Sequence, residues 1–173
     1  DGVHPGGAGH LVMAYAFLKA LGLNGEIGRI EVNLANGQAT ASAGHEVNAA
    51  KDGTVELTSS RYPFCADGPL DSDSSIRSGM SLVPFNAELN RFTLIARGGT
   101  AANYKVTWGN ASKTYSAEQL ARGVNLADDF GTNPFSAAFK AVDTAVAAKQ
   151  AYETRQIKDV FHGPEFRIEP DTM

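Results

Sequence analysis

The chain has 173 residues, of which 43% are hydrophobic and 20% charged, with a formal net charge of -4; this is a globular balance, long enough to enclose one core and unlike a disordered chain. With no cluster of lysine or arginine it lacks the basic surface that phosphate binding requires, so nucleic acid is excluded as an expected partner. No apolar run approaches the about 18 residues of a membrane span, and a single cysteine, Cys65, excludes an internal disulfide.

The chain opens on Asp1-Gly2-Val3-His4-Pro5. An Asp and a His on one loop can supply two members of a Ser-His-Asp triad, in which the carboxylate fixes one imidazole tautomer while the other ring nitrogen faces a serine hydroxyl. Gly2 permits a tight turn, and Pro5 keeps His4 out of the helical region. A helix is predicted from about Ala8 to Leu21, because Leu11, Val12, Tyr15, Leu18 and Leu21 recur at spacings of three and four on one face. Ala14 and Phe17 widen that face, and Gly22 with Asn24-Gly25 stops the helix. His10, at its start, reads as a packing or capping residue.

The period then changes from 3.6 to 2. Ile30, Val32 and Leu34 alternate with polar residues, and Asn36-Gly37 predicts a two-residue hairpin turn into Gln38 to Ser42. A second hairpin turns at Asp52-Gly53, between the Val47 and Ala49 run and Thr54 to Ser59. Beyond a long polar loop, Asp67 to Ser81, a third group is predicted: Phe92 to Ala96, then Tyr104 to Trp108 turning at Gly109-Asn110 into Ala111 to Tyr115.

Helical signals return at Ser116-Ala117-Glu118-Gln119, a capping box. A helix of about 25 residues, nearly 40 Å long, is predicted from the cap Asn133-Pro134 to Gly163-Pro164, with Phe135, Phe139, Val142 and Val146 as its seam and Ile157 and Val160 extending it. Alanines from 137 to 151 add helical propensity. The fold class is therefore α+β: one N-terminal helix, a small antiparallel sheet or sandwich of hairpins, and a long C-terminal helix. The divisions expected are 1-23, 24-115 and 116-173.

The block Asp1-Gly2-Val3-His4-Pro5, followed by Gly9-His10 and an apolar helix, closely resembles the last motif block of the SGNH hydrolases, the GDSL-type esterases, lipases and acylhydrolases. The resemblance implies that Asp1 is the triad acid and His4 the base. In that family the nucleophile lies upstream in a Gly-Asp-Ser block, followed by a Gly and an Asn that complete the oxyanion hole. It thus implies a C-terminal part of a serine ester hydrolase, with the α/β SGNH core largely missing and no activity without the Ser-bearing segment. The substitutes inside this chain are weak: Ser59, Ser60 and Ser78 beside Gly79, with no Gly-x-Ser-x-Gly elbow. Should Asp1 be the terminus, its α-ammonium, of pKa about 7.7 to 8.0, would compete with His4 for the carboxylate, so a loosely held Asp1/His4 pair is expected. The residues from 24 on resemble the C-terminal extension of some bacterial GDSL-like acylhydrolases. Partners expected on this basis are the N-terminal SGNH segment, or a second chain over the apolar helix face, and a small ester or acylated carbohydrate as substrate. A secreted or periplasmic location follows from the resemblance alone.

Other residues carry less chemistry. Cys65, in an aromatic setting with no basic residue nearer than Arg61, reads as a structural thiol. His45 and His162 lie beside glycines and read as loop or cap residues. No pairing among His4, His10, His45 and His162 has the spacing of a zinc site, so no metal and no cofactor is expected. Arg61-Tyr62-Pro63-Phe64 and Val83-Pro84-Phe85-Asn86 could wall a substrate cleft or anchor long loops. A second function stays open: a non-catalytic β-module binding carbohydrate or protein through Tyr104 and Trp108, which alternate onto one strand face unless they are a core pair.

Overall fold

The computed structural model describes the backbone of residues 3–161 and the side chains to residue 159. The elements, in order, are α1 (Gly7–Ala20), β1 (Glu26–Asn33), β2 (Gln38–Ala41), β3 (His45–Lys51), β4 (Thr54–Ser59), α2 (Ile76–Gly79), α3 (Phe85–Leu89), β5 (Arg91–Arg97), β6 (Asn103–Trp108), β7 (Ala111–Ser116), α4 (Ala117–Arg122), β8 (Val124–Asn125), α5 (Leu126–Asp129) and α6 (Ser136–Arg155), the last continuing as a π-helical stretch, Gln156–Phe161. The α+β class is as the sequence predicts. The chain forms two compact units, Asp1–Ser136 and Ala137–Met173, and α4 and α5 pack on β5 within the first.

Two of the predicted hairpins form as read. β3 and β4 are joined at Asp52 (φ 51°) and Gly53 (φ 76°), both left-handed, so Lys51 faces Thr54 across a two-residue turn. β6 and β7 join at Gly109-Asn110, with Trp108 opposite Ala111. The first hairpin has a longer loop than predicted: Asn33 faces Gln38, and of the pair Asn36-Gly37 only the glycine takes positive φ, at 73°. The Gly37 N–H donates to the Asn33 carbonyl (2.8 Å) and Asn36 Oδ1 accepts from the Gln38 N–H (3.0 Å), which closes four residues rather than two.

The segment Phe92–Ala96 departs from the prediction in its partner. It lies in β5, inside a four-stranded sheet ordered β2-β1-β5-β8, parallel to β1 and antiparallel to β8, and it does not pair with β6. Phe-Thr-Leu-Ile-Ala is nearly continuous in apolar character, which suits a strand covered on both faces. A parallel neighbour requires a crossover, and the hairpins and short helices between β1 and β5 provide one. Phe92, 1% exposed, is the centre of the core. It stacks on Trp108 (5.4 Å between centroids, 9° between planes) and meets Phe135 edge-on at 6.4 Å. Burying one such ring contributes about 2 to 3 kcal/mol.

Part of the predicted apolar face of α1 is covered within this chain. Leu11 packs with Phe85 and Leu89 of α3, and Tyr15 and Leu18 join them. The rest of that face is left uncovered: Phe17 and Leu21 are 65% and 75% exposed. A polar clip secures the contact, with Glu88 accepting from the Tyr15 hydroxyl (2.6 Å) and pairing with Lys19 (2.7 Å).

α4 starts on the predicted capping box: Ser116 Oγ accepts from the Gln119 N–H, and Gln119 Oε1 from the Ser116 N–H. α6 starts at Ser136, two residues after Pro134, because the Asn133 side chain accepts from the Phe135 N–H and Ser136 Oγ from the Asn133 N–H. Its predicted seam is not buried: Val142 and Val146 are 62% and 45% exposed, while Phe135 belongs to the first unit. An alanine-rich helix holds its backbone by intrinsic propensity and needs no packed face to do so. Its α-helical part ends at Arg155, and the stop expected at Gly163-Pro164 lies outside the described residues, as does His162.

Candidate functional site

His4 is exposed on a bend that leads through Pro5 into α1. Asp1 lies outside the described residues, and the expected looseness of the Asp1/His4 pair lies there with it. The start of α1 is anchored to the Asp67–Ser81 loop, the Ala8 N–H donating to the Asp73 carbonyl (3.0 Å). His10 lies in the first turn without capping it: its Nδ1 donates to the Gly6 carbonyl (3.0 Å), which also accepts from the His10 N–H, and no side chain caps the helix at Gly6.

The serines considered as nucleophiles are committed elsewhere. Ser78 is buried at α2, its hydroxyl against the Ser72 and Ser75 carbonyls, where it ties the loop beneath α1. Ser60 donates to the Gly44 carbonyl (3.1 Å). Ser59 meets a histidine, but the histidine is His45: Nδ1 lies 2.9 Å from Ser59 Oγ, and Nε2 lies 2.9 Å from the Ile27 carbonyl.

This pair corrects the reading of His45 as a loop or cap residue. It opens β3, opposite Ser59 in the β3/β4 register, with its ring edge-on to Phe92 at 5.3 Å. A carbonyl only accepts, so Nε2 carries the proton and the Ser59 hydroxyl donates to Nδ1. At Gly28, the space a Cβ would occupy is filled by the imidazole, so only glycine lets the ring approach β1 this closely. A carbonyl orients the ring but cannot neutralise an imidazolium as a triad carboxylate does. The sequence held a signal for this pairing: counting outward from the Asp52-Gly53 turn brings His45 to within one register step of Ser59.

The two aromatic-prolyl segments come together and act chiefly as anchors. Pro63 is fully buried, and Phe64 packs on Phe85 with ring centroids 5.7 Å apart. An amide network joins them to β5 and β8. Asn90 Nδ2 donates to the Phe64 carbonyl (3.0 Å) and to Asn86 Oδ1 (2.9 Å), and its Oδ1 accepts from the Phe64 N–H (2.8 Å). Asn125 Nδ2 donates to the Asn86 and Asn90 carbonyls, and its Oδ1 accepts from the Phe92 N–H. Beside this network lies a cleft of about 280 Å³ lined by Cys65, Arg77, Asn86, Asp128 and Asn133. Cys65 Sγ contacts Asn133 Oδ1 at 3.4 Å, in keeping with a structural thiol.

Two further groups have shifted protonation. Hydrogen bonds from Lys19, then Tyr15, hold the Glu88 carboxyl below the ordinary carboxylate range. Burial, and then the hydrogen bond to Asp129, push the Tyr115 phenol up; the Tyr115 hydroxyl donates to Asp129 Oδ2 at 2.9 Å, and Lys113 pairs with the other oxygen. Tyr104, Val106 and Trp108 all turn toward the core, so the two rings are a core pair and not a surface face.

No family model and no curated protein matches the chain. Among solved structures it is similar to a gut microbial diltiazem-metabolizing enzyme, with a TM-score of 0.66 and 29% sequence identity over 82% of this chain and 34% of that one. The chain thus spans about a third of that enzyme's length. No helix among the described residues is long and apolar enough to cross a membrane.

Proposed function

We propose that this chain is part of a serine ester hydrolase of the SGNH type, contributing Asp1 and His4 to a triad whose serine stands on a segment outside it. The observation that carries this reading is that the Asp1-x-x-His4 block leads directly into α1, with His4 exposed, in a chain similar to one third of an enzyme. His4 takes the proton of the serine hydroxyl as its oxygen attacks the ester carbonyl, and returns that proton to the departing alcohol. Water, deprotonated by the same imidazole, then releases the acid from the acyl-enzyme. Asp1 orients the ring and stabilises the imidazolium. The carbohydrate-binding alternative has less support, because Trp108 is stacked on Phe92.

The test joins the chain to a Gly-Asp-Ser-bearing SGNH segment and follows p-nitrophenyl acetate hydrolysis. The joined protein is expected to be active, and His4→Ala to lower kcat by at least about a thousandfold. Unchanged kcat in His4→Ala would remove His4 from the mechanism. Ester cleavage by the isolated chain that depends on Asp1 and His4 would show that the nucleophile is internal.

A further inference from the structure

The two hairpins and the central sheet border a half-open cavity of about 490 Å³ that the hydrolase reading does not use. β4 contributes Val55 and Leu57 on its inward face, β6 contributes Val106, and the cluster of Phe92, Trp108 and Phe135 completes an apolar lining. The cavity falls in the range of ligand pockets, roughly 300 to 1,000 Å³. Among the described residues lining it, Lys105 alone is charged, and its side chain is exposed. A charged ligand would therefore be desolvated with no partner inside, which is costly. The β3/β4 and β6/β7 hairpins are separate two-stranded sheets, with no ladder to the four-stranded sheet among the described residues.

We propose that this cavity binds an uncharged, largely hydrocarbon molecule of single-chain or drug size. The inference is independent of the role given to Asp1 and His4. Trp108 lines the cavity and is the chain's only tryptophan, so its emission reports on occupancy. Titration of the full chain with the uncharged dye N-phenyl-1-naphthylamine is expected to saturate at one site, with Trp108 emission quenched by energy transfer to the dye. Decan-1-ol is expected to displace the dye at least tenfold more effectively than decanoate. Val55→Phe and Val106→Phe, filling the space from opposite walls, are each expected to weaken dye binding at least tenfold while near-ultraviolet circular dichroism stays native. Non-saturating dye binding, saturation without Trp108 quenching, equal displacement by alcohol and carboxylate, or wild-type affinity in both folded variants would overturn the proposal. If a filled variant does not fold, the wild-type titration and the alcohol–carboxylate comparison decide without it.

Discussion

Asn90→Ala removes the side chain that connects the Tyr62–Cys65 segment to the start of β5. Asn90 is 0% exposed and makes three hydrogen bonds, two with the Phe64 backbone and one with Asn86. At about 1 kcal/mol net per bond the loss is about 3 kcal/mol if water replaces the missing partner, rising to about 5 kcal/mol where water cannot enter. Against a typical total of about 5 to 15 kcal/mol, this lowers the melting temperature by roughly 10 °C. Urea unfolding followed by Trp108 fluorescence would give the value, with the midpoint shifted down and the slope unchanged. Asn90→Asp keeps an acceptor for the Phe64 N–H but sets a buried carboxylate oxygen against the Phe64 carbonyl and Asn86 Oδ1, so it should cost more than Asn90→Ala at neutral pH. A loss below about 1 kcal/mol in Asn90→Ala, in the range of an ordinary surface substitution, would refute the claim that this amide holds the segment.

Two pH responses follow from the shifted groups. Glu88 has a folded pKa below its ordinary 4.5, so the stability it contributes is complete above that value and lost as pH falls through the folded pKa. Glu88→Gln should therefore lower the urea midpoint at neutral pH, where the contribution is complete, and converge on the wild type as pH falls, which flattens the acid side of the profile. Tyr115 is raised above its ordinary 10.0, so its contribution is complete below pH 10.0 and lost as pH rises beyond it. Tyr115→Phe should flatten the alkaline side and remove from the phenolate absorbance titration a component that ionises above the ordinary tyrosine range.

Features legible in the sequence are those set by neighbours a few residues apart. The α1 helix, the Asp52-Gly53 turn, the Trp108–Ala111 connection and the Ser116/Gln119 capping box each depend on local geometry that their residue types dictate. The Asn36-Gly37 turn was legible as a turn but not in its length, because that depends on the Asn33 carbonyl capturing the Gly37 N–H. The seam of α6 was legible as a periodicity but not in what covers it, because periodic apolar residues on an alanine-rich helix mark a face without requiring that it be covered within the chain. Within the candidate site, the Asp1-x-x-His4 block was visible as a motif. Counting from the Asp52-Gly53 turn comes within one residue of the Ser59–His45 pairing but does not settle it, because the register shifts between Val47 and Ala49 and the ring needs the absence of a side chain at Gly28.

By itself the sequence determined the α+β class, the positions of α1 and two hairpins, and the block that carries the hydrolase reading. Only the tertiary structure decided that β5 leaves the β6 neighbourhood to lie parallel to β1, and that Asn86, Asn90 and Asn125 share one network. It also decided that two hairpins stand apart over a cavity lined by Phe92 and Trp108. The division follows from range: helix periodicity, caps and two-residue turns are settled by contacts within about one turn of chain. Strand partners and cavities arise instead from competition among distant apolar surfaces for the same buried space, which no local pattern encodes.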